Sequence, residues 1–127
     1  SVRPWQHVLD ALTGYLLLGA KMFSEPGKYS QAYNFGPRKG DHFTVKELLE
    51  NCVRIWGKGS WEQVVRDESK SEAGLLFLDV SKAEKELGWT GKWKPVQAIE
   101  HTLNWFKVPE TGRRAYTFEQ IDTYLQS

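Results

Sequence analysis

The sequence is short of sulfur, of charge imbalance and of long apolar runs, and each shortage removes a class of protein. Only one of the 127 residues is cysteine and one is methionine. Cys52 can form no internal disulfide, so the fold has to rest on its core. A lone thiol on an apolar helix face reads as a small core residue in a reducing compartment. Seventeen Lys and Arg against 16 Asp and Glu leave a net charge of +1. These charges are scattered along the chain and form no electrostatic footprint for DNA, RNA or an anionic membrane. No stretch approaches the roughly 18 apolar residues of a spanning helix, and the opening SVRPWQHV is not a signal peptide. The expectation is a soluble, cytoplasmic protein.

Catalytic machinery is also missing. A dinucleotide fingerprint needs glycines directly after a strand and opening a helix, so that pyrophosphate can reach the helix N-terminus. Here Gly57, Gly59, Gly88 and Gly91 follow helices instead. No tyrosine is followed four residues later by lysine, since the positions four beyond Tyr15, Tyr29, Tyr33 and Tyr116 hold Gly19, Tyr33, Pro37 and Gln120. His7, His42 and His101 fall on different predicted elements and lack the clustering of a metal centre. No serine sits on a nucleophile elbow. The chain by itself has no means of hydride transfer.

What is present is one domain's worth of regular elements. At this length a chain buries roughly two thirds of its unfolded surface. Val2–Val8 reads as an extended segment, with Pro4 tolerable at an edge. Leu9–Phe23 reads as a helix apolar around most of its circumference, which calls for cover on more than one side. Ser24–Gln31 reads as a loop and Ala32–Phe35 as a strand. Thr44 with Glu47 forms a capping box for a helix whose apolar residues, Val45, Leu48, Leu49, Cys52, Val53 and Trp56, recur at helical spacing.

Trp61–Arg66 is a further strand candidate. Leu75–Leu78, four apolar residues between polar turns, predicts a strand buried on both faces. Ser81 with Glu84 predicts a second capping box, and Gly88 a left-handed helix stop. Pro95 suits the first position of a helix with core face Val96, Ile99, Leu103 and Phe106. Pro109–Arg114 reads as a loop, and Thr117 with Gln120 as a third capping box for a last helix carrying Phe118, Ile121 and Leu125. The fold class expected is mixed α/β: short strands with four to five helices and no Rossmann domain.

Taken in order, RPWQHVLDALTGYLLLGAK, YNFGP, the Thr-capped VKELL helix and EAGLLFLDVSKAEKELGW resemble the C-terminal part of the extended short-chain dehydrogenase/reductase class of nucleotide-sugar enzymes. The RPWQHV start, the Glu-Ala before LLFLD and the tryptophan-rich tail are most similar to the CDP-glucose branch of the 4,6-dehydratases. The resemblance implies a divided enzyme. An N-terminal Rossmann domain would bind NAD and carry the catalytic tyrosine and lysine, and a smaller lobe, this chain, would close over the nucleotide sugar. It implies no catalytic residue and no bound cofactor here, and a full-length homo-oligomer. The start at Ser1, directly before strand-like sequence, suggests a piece cut from a longer protein.

The resemblance places four residues at the substrate. Arg3 falls where the class has an arginine near the diphosphate, and a guanidinium fork suits phosphate oxygens; a surface arginine on a strand edge is the plainer reading. Gln6 and His7 share that element and offer hydrogen bonds, though a histidine there serves equally as a helix-start or core residue. Glu72 matches a glutamate that GDP-mannose enzymes carry before the same strand. It would accept from a base or sugar hydroxyl, while as a surface carboxylate it needs no explanation. An arginine three residues before that glutamate in those enzymes is Ser69 here, which leaves Lys70 or Arg66 as the second cation. Six tryptophans fill a core by default, with Trp5 and Trp61 as stacking candidates. The rival class is a non-catalytic module with a carbohydrate-binding or protein-docking tryptophan face.

Overall fold

A computed structural model describes residues 1–64 and 74–127. It contains β1 (Val2–Arg3), α1 (Val8–Ser24), α2 (Pro26–Tyr29), β2 (Phe43–Thr44), α3 (Val45–Trp56), α4 (Ser81–Leu87), α5 (Pro95–Lys107), a 3-10 turn (Glu110–Gly112) and α6 (Arg113–Gln126). The mixed α/β class is as expected. The added helix is the one-turn α2, begun by Pro26 inside the expected loop.

α1 starts where the side chain of His7 accepts the Leu9 N–H. Asp10 in its first turn and Lys21 in its last complement the helix dipole. α3 has the expected reciprocal cap: Thr44 Oγ1 accepts the Glu47 N–H at 3.1 Å and Glu47 Oε2 accepts the Thr44 N–H at 2.8 Å. It stops at Gly57, whose φ of 91° is left-handed. α3 lies along α5. The Cys52 thiol there is half-buried, and burial raises its pKa.

The sheet is small. β1 and β2 pair antiparallel, Val2 with Thr44 and Arg3 with Phe43. On the other side of β1, Leu75 bridges Val2 in parallel, with Val2 N–H donating to Gly74 O at 2.9 Å and Leu76 N–H to Val2 O at 3.2 Å. The main core lies apart from this sheet. Tyr29, Phe35, Val80, Ala83, Leu87 and Trp89 are buried together, with Leu17, Leu18, Met22 and Tyr33 against them. Gly14 of α1 meets the Phe35 ring so closely that a Cβ there would overlap it.

Several expectations need correction. Ala32–Phe35 is no strand, because side chains take its carbonyls: Lys82 Nζ donates to Ala32 O at 3.0 Å and Gln6 Nε2 to Phe35 O at 2.8 Å. Leu75–Leu78 is not a doubly buried strand. Only Leu75 pairs, and all four side chains are exposed, Leu75 at 56%. The cover of this segment includes the His42 ring against Phe77 and the close approach of Gly36 to Leu78.

Ser81 is the first residue of α4 and caps nothing. Asp79 Oδ1 accepts its N–H at 3.0 Å, so the shorter-range Asp-to-backbone bond replaces the Ser81/Glu84 box. Gly88 ends α4 at φ 67° as expected.

Thr117 lies one turn inside α6, donating to Arg113 O at 2.7 Å while its Oγ1 accepts from Trp105 Nε1 at 2.9 Å. Gln120 donates to His101 O at 2.8 Å. The third box is thus a pair of α5–α6 ties. α5 begins at Pro95 as expected, but it buries Pro95, Ala98 and Ile99 and leaves Val96 and Phe106 exposed. Residues 61–64 form no strand; the rest of Trp61–Arg66, with Ser69, Lys70 and Glu72, lies outside the described residues.

Candidate functional site

The segment Arg3–His7 runs from β1 into α1 and holds three of the four expected substrate residues. Arg3 is half-buried, with Nη1 donating to Val2 O at 3.0 Å. Gln6 is pinned through Nε2 to Phe35 O, while its Oε1 and the neighbouring Trp5 Nε1 are buried and have no hydrogen-bond partner among the described residues. Paired polar atoms are the rule inside proteins, so two orphans on adjacent residues mark an unfinished polar surface.

His7 is only 4% exposed, and its Nδ1 accepts the Leu9 N–H at 3.1 Å. Its ring packs edge-on to Trp93 at 4.8 Å, and Trp93 stacks on His101 at 3.8 Å. Burial, reinforced by His101, lowers the His7 pKa to about 4 against the opposing pull of Asp10 and Gln120. His7 is therefore neutral at pH 7 and serves as the helix cap. The fourth residue, Glu72, is not among those described. Gly74 O accepts the N–H of Val2, next to Arg3.

Behind this segment stands a polar centre that sequence reasoning missed. Asp10 and Tyr124 are each 1% exposed. Asp10 Oδ1 accepts from Tyr124 Oη at 2.5 Å and from the Lys92 N–H at 2.7 Å, and Asp10 O accepts from Trp89 Nε1 at 3.2 Å. Thr13 Oγ1 lies 3.2 Å from Tyr124 Oη. Burial first, then Asp10, pushes the Tyr124 pKa up to about 12. The signal in the sequence was positional: Asp10 falls in the same helical stripe as Gly14, Leu17 and Leu18, where an apolar residue is the norm.

Outside this centre, α1 turns an apolar face outward. Val8, Leu12, Tyr15, Leu16 and Phe23 are exposed, Leu16 at 74% and Phe23 at 92%. Val8 and Leu12 also line an apolar groove of about 390 Å³ with Trp105, Phe106 and Ile121, whose polar groups include His7 and Gln120. Among the described residues no three His, Cys, Asp or Glu converge on a metal position, and no helix is long and apolar enough to cross a membrane.

No protein-family model matches the chain. It is 36% identical over 107 residues to CDP-glucose 4,6-dehydratase of Salmonella typhimurium, an alignment covering 84% of this chain and 30% of that protein. It is 30% identical over 122 residues to UDP-glucose 4-epimerase of Halalkalibacterium halodurans, covering 95% of the chain and 34% of the relative. Over its full length it is 27% identical to 29% of UDP-glucose 4-epimerase 2 of Oryza sativa subsp. japonica. The chain thus spans about a third of the length of the relatives it matches. By these matches the chain belongs to the extended short-chain dehydrogenase/reductase family, and the relatives it matches are nucleotide-sugar dehydratases and epimerases. The individual relative that it resembles over 107 residues at 36% identity is the dehydratase.

Proposed function

We propose that this chain is the substrate-binding lobe of an NAD-dependent nucleotide-sugar 4,6-dehydratase that converts CDP-glucose to CDP-4-keto-6-deoxyglucose and water, a cytoplasmic step in cell-surface O-antigen sugar synthesis. The observation that carries the reading is the 36% identity to the Salmonella dehydratase. The orphaned polar atoms of Trp5 and Gln6 beside Arg3 support it, because they leave hydrogen-bonding capacity at the segment assigned to substrate.

NAD does not fit the described residues. They contain no glycine-rich turn from a parallel strand into a helix, and the one parallel bridge, Val2 to Leu75, leads into no such unit. On this reading the cofactor and the catalytic residues belong to the rest of the parent enzyme and the chain alone is inactive, as the family resemblance implies. The exposed face of α1 is where that Rossmann part would pack.

In this role Arg3 holds the diphosphate, Gln6 and Glu72 take hydrogen bonds from the nucleotide sugar, and His7 fixes the turn that follows Arg3 and Gln6. Holding a remote, unreacting group contributes orientation and binding rather than proton transfer. The test is Arg3→Ala in the full-length enzyme, assayed with CDP-glucose and NAD. Substrate affinity should fall by about 2 to 5 kcal/mol if the charge pair is desolvated. Turnover of CDP-glucose with unchanged affinity would remove Arg3 from the site. A parent protein lacking a glycine-rich βαβ unit, or inert toward CDP-glucose, would sink the dehydratase reading.

A further inference from the structure

We infer that Asp10 is a positioning residue for the nucleotide-sugar site, acting through a closed ring of contacts that fixes the Arg3–His7 segment; the inference rests on the function proposed above. The ring can be followed atom by atom. Gln6 Nε2 donates to Phe35 O at 2.8 Å. The Phe35 ring meets the Trp89 ring edge-on at 5.0 Å. Trp89 Nε1 donates to Asp10 O at 3.2 Å. The Asp10 N–H donates to His7 O at 3.1 Å, which returns the path to the residue after Gln6.

The carboxyl group of Asp10 locks this ring from outside. Its Oδ1 takes the Lys92 N–H, which fixes the turn after Trp89, and the Tyr124 hydroxyl, which fixes α6. Lys92 Nζ then bonds Tyr124 O at 3.1 Å, closing a second loop between the same turn and α6. From the far side, Arg38 Nε donates to Gly91 O at 3.1 Å. Such a frame costs nothing at the moment of binding, because its geometry is set on folding. Loss of the frame leaves Gln6 and the turn after Arg3 to be ordered by the substrate, which raises KM and spares kcat.

Both side-chain bonds end on Oδ1, so an asparagine that keeps its carbonyl oxygen there preserves the frame. The experiment uses the full-length enzyme with CDP-glucose and NAD and compares Asp10→Ala, Asp10→Asn, Tyr124→Phe and Arg3→Ala. KM should rise about tenfold in Asp10→Ala and about fivefold in Tyr124→Phe, with kcat within twofold of the parent. Asp10→Asn should bring KM back to within about threefold. A role confined to stability would lower the melting temperature and leave KM alone, and that result overturns the inference. So does an Asp10→Asn variant as impaired as Asp10→Ala. Should Asp10→Ala fail to fold, Tyr124→Phe, which loses one hydroxyl, decides alone. A raised KM in Arg3→Ala with an unchanged KM in Tyr124→Phe refutes the positioning role and leaves the proposed function standing. An unchanged KM in Arg3→Ala overturns the site and this inference together.

Discussion

The polar centre around Asp10 and the apolar outer face of α1 belong to the same helix, yet each has the surroundings expected of the other. Asp10 and Tyr124 are the largest fully buried side chains, while Leu16 and Phe23 stand in the open. Hydrophobicity alone would place them the other way round. The difference teaches that a helix face in this chain is buried when its groups find specific partners within the chain. Asp10 has Lys92, Tyr124 and, through its carbonyl, Trp89. Leu16 has no such neighbour among the described residues, and its face is the one assigned above to the remainder of the parent enzyme.

The sharpest way to break the contrast is Asp10→Ala. It leaves the part-buried Lys92 N–H without its acceptor and the Tyr124 hydroxyl with Thr13 Oγ1 as its remaining neighbour, at about 1 to 3 kcal/mol for each bond lost. Urea unfolding should show a loss of about 3 kcal/mol, and a loss below about 1 kcal/mol would mean that the centre is incidental to stability.

A smaller effect follows from His7, whose pKa moves from 6.5 to about 4 on folding. Between those two values the unfolded chain takes up a proton that the folded chain does not, so stability is complete above pH 6.5 and declines as pH falls toward 4. The decline should amount to about 2 to 3 kcal/mol. In His7→Asn, which keeps a side-chain acceptor for the cap, the slope over this window should flatten. His101, whose pKa burial also lowers, supplies the residual slope. An unaltered pH profile would show that another group sets it.

The outer face should respond least. Leu16→Ser or Phe23→Ser should change the stability of the chain by no more than about 0.5 kcal/mol, since neither side chain is buried. A loss of 2 kcal/mol in either would show that this face already has an internal partner.

Much of the helical framework was legible because it is encoded locally. The Thr44/Glu47 cap, the Gly57 and Gly88 stops and Pro95 at the head of α5 each depend on residues within a turn of one another. The failures share a different cause. Ala32–Phe35 looked like a strand because its composition suits one, but Lys82 and Gln6, distant in sequence, take up its carbonyls. The Thr117/Gln120 pattern matched a capping box by spacing alone, while Trp105 and His101 claimed both side chains for helix packing.

Arg3, Gln6 and His7, the residues proposed for the site, were legible as one short element because they adjoin in sequence. The internal engagement of His7 was not, because Trp93, His101 and Gln120 are brought to it by the tertiary fold. Asp10 carried a readable clue in its helical stripe, but its partner Tyr124 lies 114 positions away, beyond the reach of any local pattern.

That separation governs when the centre can close. Joining Asp10 to Tyr124 closes nearly the whole length of the chain into one loop, and the entropy of that closure is offset only once both ends are present together. At about 5 to 20 residues per second on a ribosome, α1 exists for about 10 s before the Tyr124 hydroxyl is made. Throughout that interval the carboxyl group of Asp10 must be satisfied by water. α6 is therefore the helix that dries out the first turn of α1.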